Sequence, residues 1–352
     1  MAERVVMVTM GACTPVGRNA WSSAAAVRAG VSGFGQHPFM VDTVGEPIRA
    51  AIAPWLDIGL SGADRLEALL FPAIDQALEP IAAHAGAPLR WAIALGLPSA
   101  RPGVPEDIQR QMLSRIDKRY PRRFGSAAAF CSGHAAGLFA TQAAALKLAN
   151  EALDVCVVAG VDSYIEPRTL EWLETCGQLH SAGALNNAWG FIPGEAGAAL
   201  LLMRESVAKA VALDALAIVL GVGTSMEPKR IKTETVCIGE GLTQAFHAAL
   251  AALPAGTKVS DIYCDMNGEP YRADEFGFTA LRTKEHFAST SDFVAPADCW
   301  GDVAAAGGVL HLILLGAAAQ KSYAKGPCAL AWASAEMGER AAALLACSPG
   351  RA

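Results

Sequence analysis

Two residues in the stretch "SAAAFCSGHAAG" (126–137) have side chains suited to covalent chemistry, Cys131 and His134. They lie where a strand-like run of small residues gives way to an alanine-rich stretch of helical habit. A thiol just ahead of a helix can serve as a nucleophile, because the helix dipole and nearby cations lower its pKa, typically to about 3.5–7.5. A histidine three residues on, at helical spacing, would supply the neighbouring base. The plainer reading of Cys131 is a small buried residue, since free cysteines are among the most buried types. A histidine at a helix start is disfavoured as imidazolium and stays a neutral imidazole there.

The elements around this junction alternate. Short apolar runs at 4–9, 91–97, 155–161, 196–203, 216–225, 261–266 and 328–334 read as strands. Helical patterns fill 17–30, 63–85, 135–152, 241–253 and 303–320. Alternation of continuously apolar strands with helices predicts an α/β protein whose sheets are covered on both faces. The polar stretch "MRESVAKAVALDA" (203–215) separates one apolar strand from the next and divides the chain into 1–204 and 205–352. Segments 97–107 and 227–235 read as surface loops. Each half has a glycine-rich turn entering an alanine-rich helix, as a distant internal duplication would give.

Of the 352 residues 53% are apolar and 18% charged, and the net charge is −6. Such a composition predicts extensive burial, including a subunit interface, and speaks against disorder and against binding nucleic acid through bulk charge. The start "MAERVVMVTM" lacks a cationic region followed by a long apolar one, so no signal peptide is expected. The most apolar window, 303–319, is shorter than the roughly 20 residues of a bilayer span and carries His311, so it is expected to be a buried helix. The nine cysteines show no CxxC pairs or metal-ligand spacing with histidine, which predicts reduced thiols in a cytoplasmic protein.

Three segments in order carry a resemblance: "VTMGACTPVGRNAWSSAAAVRAGVSGFG" (8–35), "LDVCVVAGVDS" (153–163) and "WGFIPGEAGAALLLM" (189–203). Together they resemble the β-ketoacyl synthases of the thiolase superfamily. The resemblance is clear over residues 1–225 and fainter beyond. It implies a thiolase-like, five-layered αβαβα fold of two similar halves, usually dimeric. It also implies acyl transfer from a carrier-protein or coenzyme A thioester to a cysteine, followed by decarboxylative condensation. That chemistry takes a thiolate, two histidines, oxyanion donors and a lysine, with no cofactor or metal.

The same resemblance assigns positions. Counting back twenty residues from Asp154 without a gap puts His134 in the nucleophile's place, with Gly137 matching a family glycine. A three-residue gap would put Cys131 there instead. In "YCDMNGEPYRADEFGF" (263–278) Asn267 takes the first histidine's place, and Glu269 and Tyr271 take those of two threonines that bond the phosphopantetheine arm. In "WGDVAAAGG" (300–308) Asp302 replaces the second histidine, and Ala297 stands where the lysine belongs. The terminal glycine-rich gating loop is replaced by "WASAEMGERA" (332–341). Phe191 is expected in the pocket wall, the segment 171–187 with His180 over the pocket, and "FGSAAAF" (124–130) as a strand paired across a dimer axis.

These assignments support two readings. In one, the chain is a non-condensing homologue that binds acyl or carrier partners or acts as a scaffold, as a homodimer or beside a true ketosynthase. In the other, an acyltransferase or thioester hydrolase works through His134 with Asp302, or through Cys131. The replacements are polar rather than apolar, and an unpaired buried polar group costs on the order of 1–3 kcal/mol, which favours a retained site. Asp265, Asn267, Glu269, Asp302 and His134 are oxygen-rich but contain one candidate histidine and no ligand motif, so no metal is expected among them. The basic run "RIDKRYPRR" (115–123) is either a solvated helix end or a surface for an acidic carrier protein.

Overall fold

A computed structural model describes residues 3–84, 89–180 and 187–347. Along the chain come β1 (Val5–Cys13), α1 (Ala20–Arg28), the hairpin β2 (Gly35–Val41) and β3 (Pro47–Ala50), α2 (Gly62–Leu78), β4 (Trp91–Gly96) and α3 (Ile108–Arg119). Next are β5 (Ser126–Phe130), α4 (Ala136–Ala149), β6 (Val155–Ser163), α5 (Pro167–Thr175), β7 (Glu195–Arg204), α6 (Glu205–Ala210) and β8 (Ala217–Met226). The chain continues through α7 (Glu240–Leu250), β9 (Val259–Cys264), α8 (Pro270–Thr283), α9 (Ala297–Trp300), α10 (Gly307–Gln320), β10 (Cys328–Ser334) and β11 (Glu339–Cys347).

Strands β1, β4 and β6 are buried at every position, as expected of strands covered on both faces. Nine strands form one sheet in the order β5-β4-β6-β7-β1-β8-β11-β10-β9. β4 runs parallel to β5 and β6, while β7 runs antiparallel to β6 and β1. β1 meets β8 only over Val5–Met7. Beyond it β8, β11 and β10 are antiparallel neighbours, and β9 lies parallel to β10. Two isolated parallel bridges, Val259 with Phe287 and Tyr263 with Val294, continue the pairing outside β9.

Helix α10 is buried from Gly307 to Ala319. A helix apolar all round belongs in an interior, which is where the 303–319 window goes. Among the described residues no helix is long and apolar enough to cross a membrane. Helix α4 packs beside α10, and glycines allow the approach. A Cβ on Gly160 of β6 would lie 2.6 Å from the Ala305 carbonyl oxygen, and one on Gly137 would lie 2.9 Å from Val309. This packing brings the starts of α4 and α10 together. Outside the sheet, α2 and α3 cover one region with Leu69, Ile74 and Met112. Helix α7 and α8 cover another, where Phe276 stacks on Trp332 at 5.2 Å.

Several segments depart from the sequence reading. The 332–341 stretch carries the turn of the β10–β11 hairpin, and β11 is a strand that the alanine-rich "ERAAALLAC" did not announce. Helix α8 rises from the 263–278 stretch read as a strand end. The helix expected over 63–85 is α-helical to Leu78 and then tightens into a 3₁₀ turn. The 203–215 separator contains α6. In the basic run, Arg115 pairs with Asp64 and Glu67 of α2, and Arg119 with Asp75, so half of its arginines face internal carboxylates. Part of the 171–187 cover, residues 181–186, lies outside the described residues.

Candidate functional site

His134 occupies a 3₁₀ turn (Gly133–Ala135) between β5 and α4, with Gly133 at φ +52° making the bend. Asp302 follows α9 through Gly301, whose φ of +74° favours glycine. Its backbone is clamped to the 189–203 segment: Asp302 N–H donates to the Ile192 carbonyl at 2.8 Å, and Gly194 N–H donates to the Asp302 carbonyl at 2.8 Å. Asn267 and Glu269 lie between β9 and α8, separated by Gly268 at φ +104°.

The structure brings His134, Asn267 and Asp302 together. His134 Nε2 lies 2.9 Å from each carboxylate oxygen of Asp302. Asn267 Nδ2 donates to Asp302 Oδ2 at 2.6 Å and to Glu269 Oε2 at 3.0 Å. The Ala304 N–H donates to Asp302 Oδ1 at 2.8 Å. Tyr271 donates its hydroxyl to Glu269 Oε2 at 2.5 Å. His134, Glu269 and Asp302 are buried, while Asn267 and Tyr271 are half-buried.

Sequence reasoning missed Arg272, the group that joins these residues into one network. It is 1% exposed on the first turn of α8. Its Nη1 donates to Asp265 Oδ2 and to the Ser334 carbonyl, both at 2.9 Å, and Nη2 lies 3.1 Å from His134 Nε2. The only signal was one basic residue in the acidic run "NGEPYRADE". Lys232, from a segment read as a surface loop, reaches Glu269 Oε1 at 3.0 Å and Glu336 at 2.5 Å. It closes the network on the solvent side.

Charge is strongly organised here. Burial pushes the Asp302 carboxyl up, but contact with His134, the Arg272 charge and the Ala304 N–H overcome this and hold it well below the usual carboxylate range. Burial also opposes the charge of Arg272, yet Tyr271, Asp265, Glu269 and Asp302 hold its guanidinium well above its ordinary value. Asp265 is raised by burial against the pull of Arg272. One ring nitrogen cannot donate to Asp302 and also accept from Arg272. With Asp302 ionised, Nε2 carries the hydrogen and donates to it, so this nitrogen is not a free base.

Little room remains. His134, Asp302, Asp265 and His311 border a cavity of about 10 Å³, the size of one water at most. His311 is buried, and burial lowers its pKa to about 3. Cys131 lies apart from the network: it is exposed, not buried as its residue type suggested, and burial of its thiol edge raises its pKa. Phe191, expected in the pocket wall, is buried against Tyr164 in a hydrophobic cluster and does not border this cavity. His180 is half-buried, its N–H bonded to the Phe191 carbonyl.

Residues 124–208 match the family model described as "Beta-ketoacyl synthase, N-terminal domain". Solved ketosynthase structures superpose on nearly all of the chain. The fold is that of the ketosynthases. One match is the type II polyketide synthase complex AntDE:AntF, an acyl-carrier protein with its ketosynthase: TM-score 0.80, 14% identity, 98% of this chain and 99% of that one. The ishigamide ketosynthase/chain length factor gives TM-score 0.78 at 17% identity, covering 99% and 100%. A β-ketoacyl synthase from Burkholderia phymatum STM815 gives 0.74 at 15%, covering 98% and 99%. No curated protein matches the sequence significantly. In this ketosynthase fold, the starts of α4 and α10 and the end of β9 converge on the His134 network.

Proposed function

We propose that this chain is a non-condensing subunit of ketosynthase fold, built as two similar halves (1–204 and 205–352) in five layers. The strand order supports two halves: β8, β9, β10 and β11 repeat the neighbours and directions of β1, β4, β6 and β7. The two isolated bridges beside β9 stand where β5 stands beside β4. In this reading His134, Asn267 and Asp302 occupy the places of the condensing Cys-His-His set.

The observation that carries the proposal is the filled site. A condensing centre needs space for a thioester beside its nucleophile. Here Arg272, bonded to Asp265, and Asp302, bonded to Asn267 and His134, take that space and leave about 10 Å³. The polar residues are retained because each supports another, which makes the network a structural element. The alternative, acyl transfer or thioester hydrolysis by His134 with Asp302 or by Cys131, draws only on the 2.9 Å contact and on the exposure of Cys131.

Such a subunit acts through its surfaces, on an acyl carrier protein or acyl thioester or beside a ketosynthase. Strand β5 is an edge strand of small residues with no lysine or proline to block pairing, which suits a dimer axis. Nine free cysteines suit a reducing cytoplasm. Mixing the protein with carrier protein and a ketosynthase, then measuring complex formation and polyketide or fatty-acyl output, tests the reading. A complex that alters the partner's output with no turnover by this chain supports it, and condensation by this chain alone refutes it.

A further inference from the structure

A second buried polar cluster lies away from the His134 network. Glu227 follows β8, Cys237 sits in the segment leading to α7, and Glu275 lies on α8. One ligand atom from each lies within 4.8 Å of the other two. Glu227 is 2% exposed and Glu275 is fully buried.

Hydrogen bonds leave this cluster incomplete. Glu227 accepts from the backbone N–H groups of Lys229 at 3.2 Å and Gly241 at 2.7 Å. Glu275 Oε1 accepts from Arg340 Nε at 2.5 Å and from the Cys237 thiol at 3.6 Å. Glu275 Oε2 has no hydrogen-bond partner among the described residues. Two carboxylates thus share one guanidinium: Glu227 is met by backbone N–H groups alone and Glu275 Oε2 by no donor, so one buried negative charge has no cation beside it. Burial of an unpaired charge is strongly unfavourable. Two carboxylates, a thiolate, one guanidinium and a divalent cation sum to zero.

We propose that Glu227, Cys237 and Glu275 bind one divalent transition-metal ion, with zinc the best match for a thiolate beside two carboxylates. As the sulfur–metal bond forms, the thiol proton leaves to solvent, and no electrons are transferred. The ion is structural. It ties the 227–239 segment, which carries Lys232 onto Glu269, to the helix that carries Arg272. No spacing motif announces this site, because its ligands come from three separate parts of the chain at irregular spacing.

The test uses the full chain. Metal content of protein purified without chelator is measured by mass spectrometry, and metal-free protein is titrated with Co²⁺. The expected result is about one zinc per chain, with a thiolate-to-cobalt charge-transfer band in the visible-ultraviolet spectrum. Cys237→Ser removes the band and weakens zinc binding by more than about tenfold, as does Glu227→Gln for affinity, whereas Cys131→Ser changes neither. Glu275 is left intact because its loss would strand Arg340. The proposal is overturned if the wild-type chain neither retains zinc nor gives the band, a result independent of how the variants fold. It is equally overturned if folded Cys237→Ser binds as the wild type does.

Discussion

His134 and Asp302 stand 168 positions apart in sequence, and the imidazole Nε2 lies 2.9 Å from both oxygens of the carboxylate. His134 sits just ahead of α4 and Asp302 ahead of the buried α10, and each side chain has under 6% of its surface exposed. The pair is closed in by Arg272, Asn267 and the Ala304 N–H. Such a contact holds two helices together more readily than it meets a substrate.

Asp302→Ala therefore leaves His134, Asn267 and the Ala304 N–H without their shared acceptor. Breaking a buried pair from one side costs about 3–5 kcal/mol. Chemical denaturation should show a loss of that size. His134→Ala combined with Asp302→Ala should cost less than the sum of the two singles. Additive losses would mean that the two residues do not support one another.

His311 sets a pH dependence. Its pKa falls from 6.5 to about 3 on folding because burial disfavours the charged ring. A group depressed in the folded state contributes stability at pH above 6.5, and that stability is lost as pH falls toward 3. The loss reaches at most about 5 kcal/mol. Asp302, held low, adds to it only below about pH 4, where unfolded aspartates protonate. Asp265, held high, acts in the opposite sense. Thermal unfolding between pH 7 and 5 should show falling stability, and His311→Leu should flatten the curve. An unchanged slope in that variant would remove His311 as its source.

Cys131 should behave as an exposed, unactivated thiol. Iodoacetamide should label Cys131 and Cys176 before the buried Cys156 and Cys264, and labelling should speed up as pH rises through 8 and 9. Fast labelling of Cys131 at pH 6 would instead identify an activated nucleophile.

The proposed pairing of β5 across a dimer axis predicts that Ala127→Glu, a charge on an exposed edge position, shifts the protein from dimer to monomer in light scattering. A wild-type monomer, or a dimer indifferent to the substitution, would place the interface elsewhere.

The parts of this architecture that rest on local pattern were legible in the sequence. Continuous apolar runs gave β1, β4, β6 and β10, and the 303–319 window gave the buried α10. The positions of His134, Asn267 and Asp302 were singled out only through the resemblance to ketosynthases, since no local pattern relates residues so far apart in sequence. Arg272 and Lys232 were not foreseen. Neither belongs to a periodic pattern, and each acquires its role from a partner on another element: Asp265 and His134 for Arg272, Glu269 for Lys232. The helical start of α8 was masked because "NGEPYRADE" reads as a polar turn until Pro270 is recognised as a helix N1 residue. Exposure of Cys131 could not be read either, since it depends on β5 lying at the sheet edge.

A filled network around His134, as proposed above, leaves no room for condensation at this site. Incubation with acyl-carrier and acyl-coenzyme A thioesters, followed by intact-mass measurement and thioester quantification, tests it most directly. The account predicts an unmodified mass and thioester loss equal to the buffer control. A stable acyl adduct that disappears in Cys131→Ser, or hydrolysis that disappears in His134→Ala, would contradict it.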